Sequence, residues 1–187
     1  MTTGRYRLAI VIGSVRHGRF GVTVAHWFVR HAAQRDNIDI DVIDLADYQH
    51  PVDMTDHPDT RRFAGQVAAA DAVVIVTPEY NHSYPGPLKT AIDSVRAEWR
   101  GKPVGFVSYG GLSGGLRAVE ALRAVFAELH ATTIRDTVSF HNAWDQFDHA
   151  GHAQPGPADK AAAALLDQLG WWAPALRDAR IATPYPA

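Results

Sequence analysis

The sequence predicts an α/β fold. Five parallel strands lie in the order 2-1-3-4-5, forming the middle of three layers with helices on both faces. Three observations lead there. Strand-like apolar runs alternate strictly with segments of helical period, β-α-β-α-β-α-β-α-β-α, the pattern of a parallel sheet covered by crossover helices. The first, third and fourth runs are continuously apolar, as strands buried on both faces must be. The second and fifth alternate apolar with polar residues, as edge strands with one wet face do.

The elements follow in order. Residues 8–12 (LAIVI) form the first buried strand, and residues 22–33 carry Val22, Ala25, Val29 and Ala32 at helical spacing. Residues 38–45 (IDIDVIDL) alternate and make an edge strand. The polar segment 46–62, with Pro51 and Pro58, reads as a loop entering a helix that shows Phe63, Val67 and Ala70 on one face. Residues 71–78 (DAVVIVTP) are the second buried strand. Residues 78–87 form a proline-stiffened loop, and Pro87 opens a helix with Leu88, Ala91, Ile92 and Val95. PVGFVSY (103–109) is the third buried strand. After the loop 110–115, a helix carries Val119, Leu122, Phe126 and Leu129. Residues 131–140 alternate weakly and form the other edge. Residues 141–160 read as a long polar connection. The last helix holds Leu165, Leu169, Trp172 and Leu176, and the tail IATPYPA is extended. An order of 2-1-3-4-5 places both alternating strands at the edges, and this order is the flavodoxin-like one.

Composition narrows the function classes. The 187 residues are read as one domain, 1–187, with 47% hydrophobic and 20% charged residues, ordinary values for a globular chain. A formal net charge of −2 gives no support for nucleic-acid or anionic-membrane binding. No apolar run is long enough to span a bilayer, and the short apolar run near the N-terminus reads as a strand, not a signal peptide. With no cysteine, disulfides, thiolate nucleophiles and cysteine metal sites are excluded, and the expected location is cytoplasmic.

In sheets of this order ligands bind beyond the carboxyl ends of the strands, at the switch point between strands 1 and 3. Three unusual loops meet there. GSVRHGRFG (13–21) offers a tight glycine turn, the Ser14 hydroxyl, the forked donors of Arg16 and Arg19, and a helix N-terminus. It is neither GxxxxGK[ST] nor GxGxxG, so it suits a terminal phosphate monoester better than a nucleoside triphosphate or a dinucleotide. TPEYNHSYPGPLK is stiffened by prolines, and Tyr80 and Tyr84 with Glu79 and Asn81 suit a flat, hydrogen-bonding heteroaromatic ring. SYGGLSGG lets backbone approach a ligand closely.

These stretches together resemble the NADPH-dependent FMN reductase family of flavodoxin-like flavoproteins, whose members include quinone, chromate and azo-dye reductases. The resemblance spans residues 7 to about 140 and the following helix, and TPEYN…PGxLKxAID is its most specific part. It implies that Ser14, Arg16, Arg19, Phe20 and Gly21 surround the FMN phosphate. It implies also that Pro78, Glu79, Tyr80 and Asn81 border the isoalloxazine, largely through main-chain donors, and that Ser108, Gly110, Gly111 and Ser113 line its pyrimidine side. Many members read GSxRxxSxN, so Arg19 and Gly21 stand in the serine and asparagine positions. The implied activity is hydride transfer from NADPH or NADH to FMN and on to a small-molecule acceptor: a quinone, azo dye, chromate or free flavin. The implied assembly is a homodimer or homotetramer whose partner chain helps close the site. The flavin carries the chemistry, so no catalytic side chain is named.

Two other readings compete. One is an FMN-binding electron carrier or redox sensor, against which the basic first loop weighs. The other is a phosphate-ligand module without flavin. A metal reading has little support. His141, His149 and His152, like the cluster Asp53, Asp56, His57 and Asp59, match no known zinc spacing. Ser113 lacks the G-x-S-x-G spacing of a nucleophile elbow. Trp171 and Trp172 read as core or interface anchors, and Asp93 receives no catalytic role.

Overall fold

Continuous apolar sequence becomes the centre of the sheet. The computed structural model describes residues 4–186. Strands β1 (Tyr6–Ile12), β3 (Ala72–Pro78) and β4 (Pro103–Tyr109) lie side by side. They are flanked by β2 (Ile38–Asp44) and β5 (Thr132–Phe140) in the parallel order β2-β1-β3-β4-β5. Every residue of β3 and β4 is buried, whereas β2 and β5 bury only part of theirs, as edge strands do.

The pleat sends alternate side chains to opposite faces and so builds two cores. Leu8, Ile10 and Ile12 pack with Trp27 and Phe28 of α1 (Gly21–Ala32) and Leu165 and Leu169 of α5 (Pro157–Ala182). Ala9 and Val11 face the other way. There Phe63 of α2 (Pro58–Ala69), Leu88 and Ile92 of α3 (Gly86–Asp93), and Leu122 and Phe126 of α4 (Leu116–Glu128) complete the layer around Trp99. The fold is therefore the flavodoxin-like three-layer sandwich.

The boundaries differ from the expectation where local bonds decide them. β1 begins at Tyr6, earlier than residue 8. α2 begins at Pro58, inside the stretch read as loop, because the His57 ring accepts the Asp59 N–H at 3.2 Å and Pro58 fits the first turn. α3 starts at Gly86, one residue before Pro87. α5 starts at Pro157, where the Asp159 carboxylate accepts the Gly156 N–H at 2.8 Å. It runs through Pro174 and takes in Ile181 and Ala182 of the tail expected to be extended. The connection 141–160 is more ordered than its polarity suggests. Ala143 is buried, Phe147 bridges Ala153, and the Phe147 ring lies 5.3 Å from Phe20 and 4.9 Å from Phe140. Trp172 packs against the core, while Trp171 beside it is 63% exposed.

Candidate active site

The carboxyl ends of β1, β3 and β4 release the three loops on one rim of the sheet, where they enclose a cleft of about 300 Å³. The first loop leaves β1 with no room for a side chain. A Cβ on Gly13 would lie 3.0 Å from Leu88 and 3.2 Å from the Val76 carbonyl, which accepts the Gly13 N–H at 2.9 Å. Ser14 follows, fully buried, its hydroxyl 2.7 Å from that of Tyr80. The loop turns through Gly18 at φ +66° and enters α1, where Phe20 at the N-cap supplies no side-chain oxygen and no acidic residue stands in the first turn. The first-turn N–H groups of α1 thus keep the partial positive charge of an uncapped helix end.

Arg16 is exposed, its guanidinium 5.4 Å from the centre of the Tyr80 ring. Arg19 behaves differently. It forms an ion pair with Asp44 at the end of β2, both side chains only 19% exposed, while its Nε is buried with no partner among the described residues. Asp44 also accepts the Ala46 N–H at 3.1 Å, so its carboxylate is held from two sides.

The second loop is a tight turn. Tyr80 and Ser83 exchange backbone hydrogen bonds of 2.8 and 3.1 Å, with Asn81 and His82 at φ 49° and 73° between them. Two successive left-handed residues are the signature of a type I′ turn, and asparagine suits the first. The Glu79 N–H is used as well, donating to the Tyr109 carbonyl at 3.2 Å. Among residues 78–81, only the Asn81 N–H finds no intrachain acceptor among the described residues. The Glu79 side chain points along the rim to α4, accepting the Arg117 N–H at 3.2 Å and its guanidinium at 3.0 Å. Burial alone would raise its pKa; the bonds from Ser113 and Arg117 outweigh this and hold the carboxyl below its ordinary value. Glu79 and Arg117 therefore clamp the second loop to the start of α4.

The third loop is fixed from behind. Ser108 is fully buried and donates to the Gly114 carbonyl at 2.8 Å, as Ser139 does from β5. Gly115 has φ +85°, and a Cβ there would meet the Ser108 Cβ at 2.7 Å. The turn Ala143–Asp145 is tied on through Asn142 N–H to the Gly111 carbonyl (2.9 Å) and Ala143 N–H to that of Gly110 (3.0 Å).

The cleft brings together nine of the anticipated residues: Ser14, Arg16, Arg19, Phe20, Pro78, Glu79, Tyr80, Gly110 and Gly111. Gly21 lies just behind its wall, Asn81 at the exposed turn tip, Ser108 under the third loop and Ser113 beside Glu79. Sequence reasoning missed Tyr109 and Trp144, which line the same cleft. Tyr109 was findable: it shares strand parity with Val107, whose face packs on α1. Trp144 carries no periodic signal, being a 59% exposed ring on a short turn. His141 holds the third loop, its Nδ1 2.8 Å from the Leu112 carbonyl, and among the described residues no three His, Asp or Glu side chains gather as a metal cluster would.

Comparison with known proteins agrees with this geometry. The model of the family described as NADPH-dependent FMN reductase matches residues 6–145. An NAD(P)H-dependent FMN reductase of Schizosaccharomyces pombe is 37% identical over 122 residues, covering 58% of this chain and 60% of that protein. A 2-hydroxy-1,4-benzoquinone reductase of a Burkholderia species is 36% identical over 128 residues, covering 66% and 67%. The match thus spans about three fifths to two thirds of these relatives' own length. Among solved structures, the flavoenzyme FerB of Paracoccus denitrificans superposes with a TM-score of 0.74 at 20% identity, covering 91% of this chain and 98% of that one. A Pseudomonas aeruginosa flavodoxin gives 0.56 at 19%, covering 91% and 99%. Both likenesses are of fold.

Proposed function

The chain belongs to the NADPH-dependent FMN reductase family, and from that premise we propose that its three-loop cleft holds FMN and that the protein passes hydride from NADPH or NADH to the bound flavin and on to a small-molecule acceptor. The observation carrying this reading is the pairing, in one cleft, of an uncapped helix N-terminus flanked by Ser14 and Arg16 with a glycine-walled slot between Tyr80 and Gly110–Gly111. The first end suits a phosphate dianion; the second suits a flat ring approached by backbone.

The residues fit the group. Gly13 and Gly21 stand where a Cβ would crowd the cradle, and the first turn of α1 carries no acidic side chain. Ser14, Arg16 and the first-turn N–H groups of α1 anchor the phosphate. Arg19 adds its unpaired Nε–H, its charge already largely answered by Asp44. The Asn81 N–H and the backbone at Gly110 and Gly111 border the ring, and the Glu79–Arg117 clamp keeps these two walls at fixed separation. When bound, the flavin supplies the two-electron chemistry. No side chain of this chain is assigned a proton transfer.

The proposal includes a homodimer or homotetramer. It is supported by exposed apolar residues (Leu112 87% on the third loop, Val52 86% and Met54 51% between β2 and α2) and by an apolar groove of about 490 Å³ on the far side of the first loop, lined by Val15, Leu45, Tyr48, Val52 and Pro87. Acceptors of the quinone or azo class suit a flat slot with an aromatic rim. Residues 1–187 are read as one FMN-binding domain, supported by two cores that share a single sheet. The location is read as cytoplasmic from the cysteine-free composition; among the described residues no helix is long and apolar enough to cross a membrane.

Reconstitution of the purified protein with FMN, followed by anaerobic addition of NADPH or NADH, tests the reading. The expected result is rapid bleaching of bound flavin and reoxidation by a quinone. Flavin that stays oxidised with both nucleotides would leave an electron carrier; a protein that takes up no FMN would remove both readings.

A further inference from the structure

The first residue of α1 is glycine, so the helix end nearest the anion offers no side chain of its own. Its place is filled from across the cleft. A Cβ on Gly21 would lie 2.6 Å from the Tyr109 hydroxyl and 3.5 Å from the ring carbon that bears it. Tyr109 ends β4, is 4% exposed, and stands edge-on to Phe20 at 6.2 Å. Its hydroxyl lies beside Ser14, whose own hydroxyl is 2.7 Å from that of Tyr80, and within the fields of Tyr80, Arg19 and Arg16. Three of the groups around this one oxygen, Ser14, Arg16 and Arg19, belong to the phosphate cradle.

Proton counting sharpens the point. Ser14 bonds Tyr80 and stands beside Tyr109, so at most two bonds join these three hydroxyls and at least one proton is left to donate elsewhere. Tyr109 is only 4% exposed and lines the cleft, so a hydroxyl proton that Ser14 does not take needs an acceptor within the cleft. An anion at the end of α1 supplies that acceptor. Burial also pushes the Tyr109 phenol well above its ordinary value, so it remains a donor at any working pH.

We propose that the Tyr109 hydroxyl donates a hydrogen bond directly to the phosphate of the bound ligand, taking the place of the side chain that Gly21 lacks. The inference rests on reading the cleft as an FMN site and goes beyond it by assigning a phosphate contact to the fourth strand. A pocket closed by apolar packing alone would be served equally well by phenylalanine.

Apoprotein with and without Tyr109→Phe is titrated with FMN and with riboflavin, following flavin fluorescence. The expected result is an FMN Kd raised about 10- to 150-fold and a riboflavin Kd unchanged, since only FMN carries the phosphate. Equal FMN affinity in both proteins overturns the proposal, as does an equal loss for FMN and riboflavin, which marks a packing role. Wild-type protein that binds neither flavin overturns the flavin reading and this inference together. A second measurement needs no ligand. Gly21→Ala should lower Tm in the wild type and be tolerated in the Tyr109→Phe background, where the 2.6 Å approach is gone. An equal loss in both backgrounds contradicts the placement of the hydroxyl.

Discussion

Arg16 and Arg19 are chemically identical and do different work. Arg16 is free to meet a phosphate, so Arg16→Ala is expected to weaken FMN binding by about 1.5–3 kcal/mol while leaving riboflavin binding nearly unchanged, as parallel titrations would read. Arg19 is committed to Asp44, and removing that partner should act in two directions. Asp44→Asn is expected to tighten FMN binding, because a carboxylate near the phosphate disappears and the guanidinium is released, and to lower Tm, because the ion pair and part of the hold on Ala46 are lost. A variant that lowered both would show Asp44 to be purely supportive. Gly115 is the strictest position in the third loop. With φ +85° and neighbouring backbone at 2.9 Å, Gly115→Ala is expected to cost about 1–3 kcal/mol or more in chemical denaturation.

At the scale of elements, each loop is locked by a partner from another strand or helix: the first by Asp44 of β2, the second by Arg117 of α4, the third by Ser139 of β5. None of these partnerships is visible along the chain, because each joins residues 25 or more positions apart whose side chains meet only after the sheet has formed. The loops themselves were legible. Their glycines, prolines and arginines sit at strand ends, and the strand ends follow from the apolar pattern. The same reasoning overlooked Trp144, since a turn held through backbone bonds leaves no trace in side-chain pattern. Because that turn does not depend on the indole, Trp144→Ala should change stability by no more than about 0.5 kcal/mol. It should raise KM for the acceptor, with FMN affinity little affected, in steady-state assays of the loaded enzyme.

The whole molecule was legible because centre and edge strands differ in hydrophobic pattern, which places β2 and β5 at the edges and is met by the flavodoxin-like order. Less legible was the end of the sheet opposite the cleft. There Lys102 is 4% exposed and donates to the carbonyls of Ala68 and Ala70 at 3.2 and 2.6 Å, closing the C-terminal end of α2. Burial, with Arg180 nearby, lowers its pKa from 10.5 to about 8. Between those values the unfolded chain binds the proton that the folded protein has released, so stability rises with pH across that window. Lys102→Met should flatten the rise, which urea denaturation below, within and above the window would detect; an unchanged slope would assign it to another group.

The Glu79–Arg117 clamp has a consequence for how such a protein changes over time. It ties down the roots of the loops and leaves their tips, Asn81, His82 and Leu112, in solvent. Mutation at the tips alters what a visiting molecule meets without disturbing the grip at the other end of the cleft. Inheritance can therefore treat anchorage and choice of electron acceptor as separate traits, free to drift in one while the other is kept.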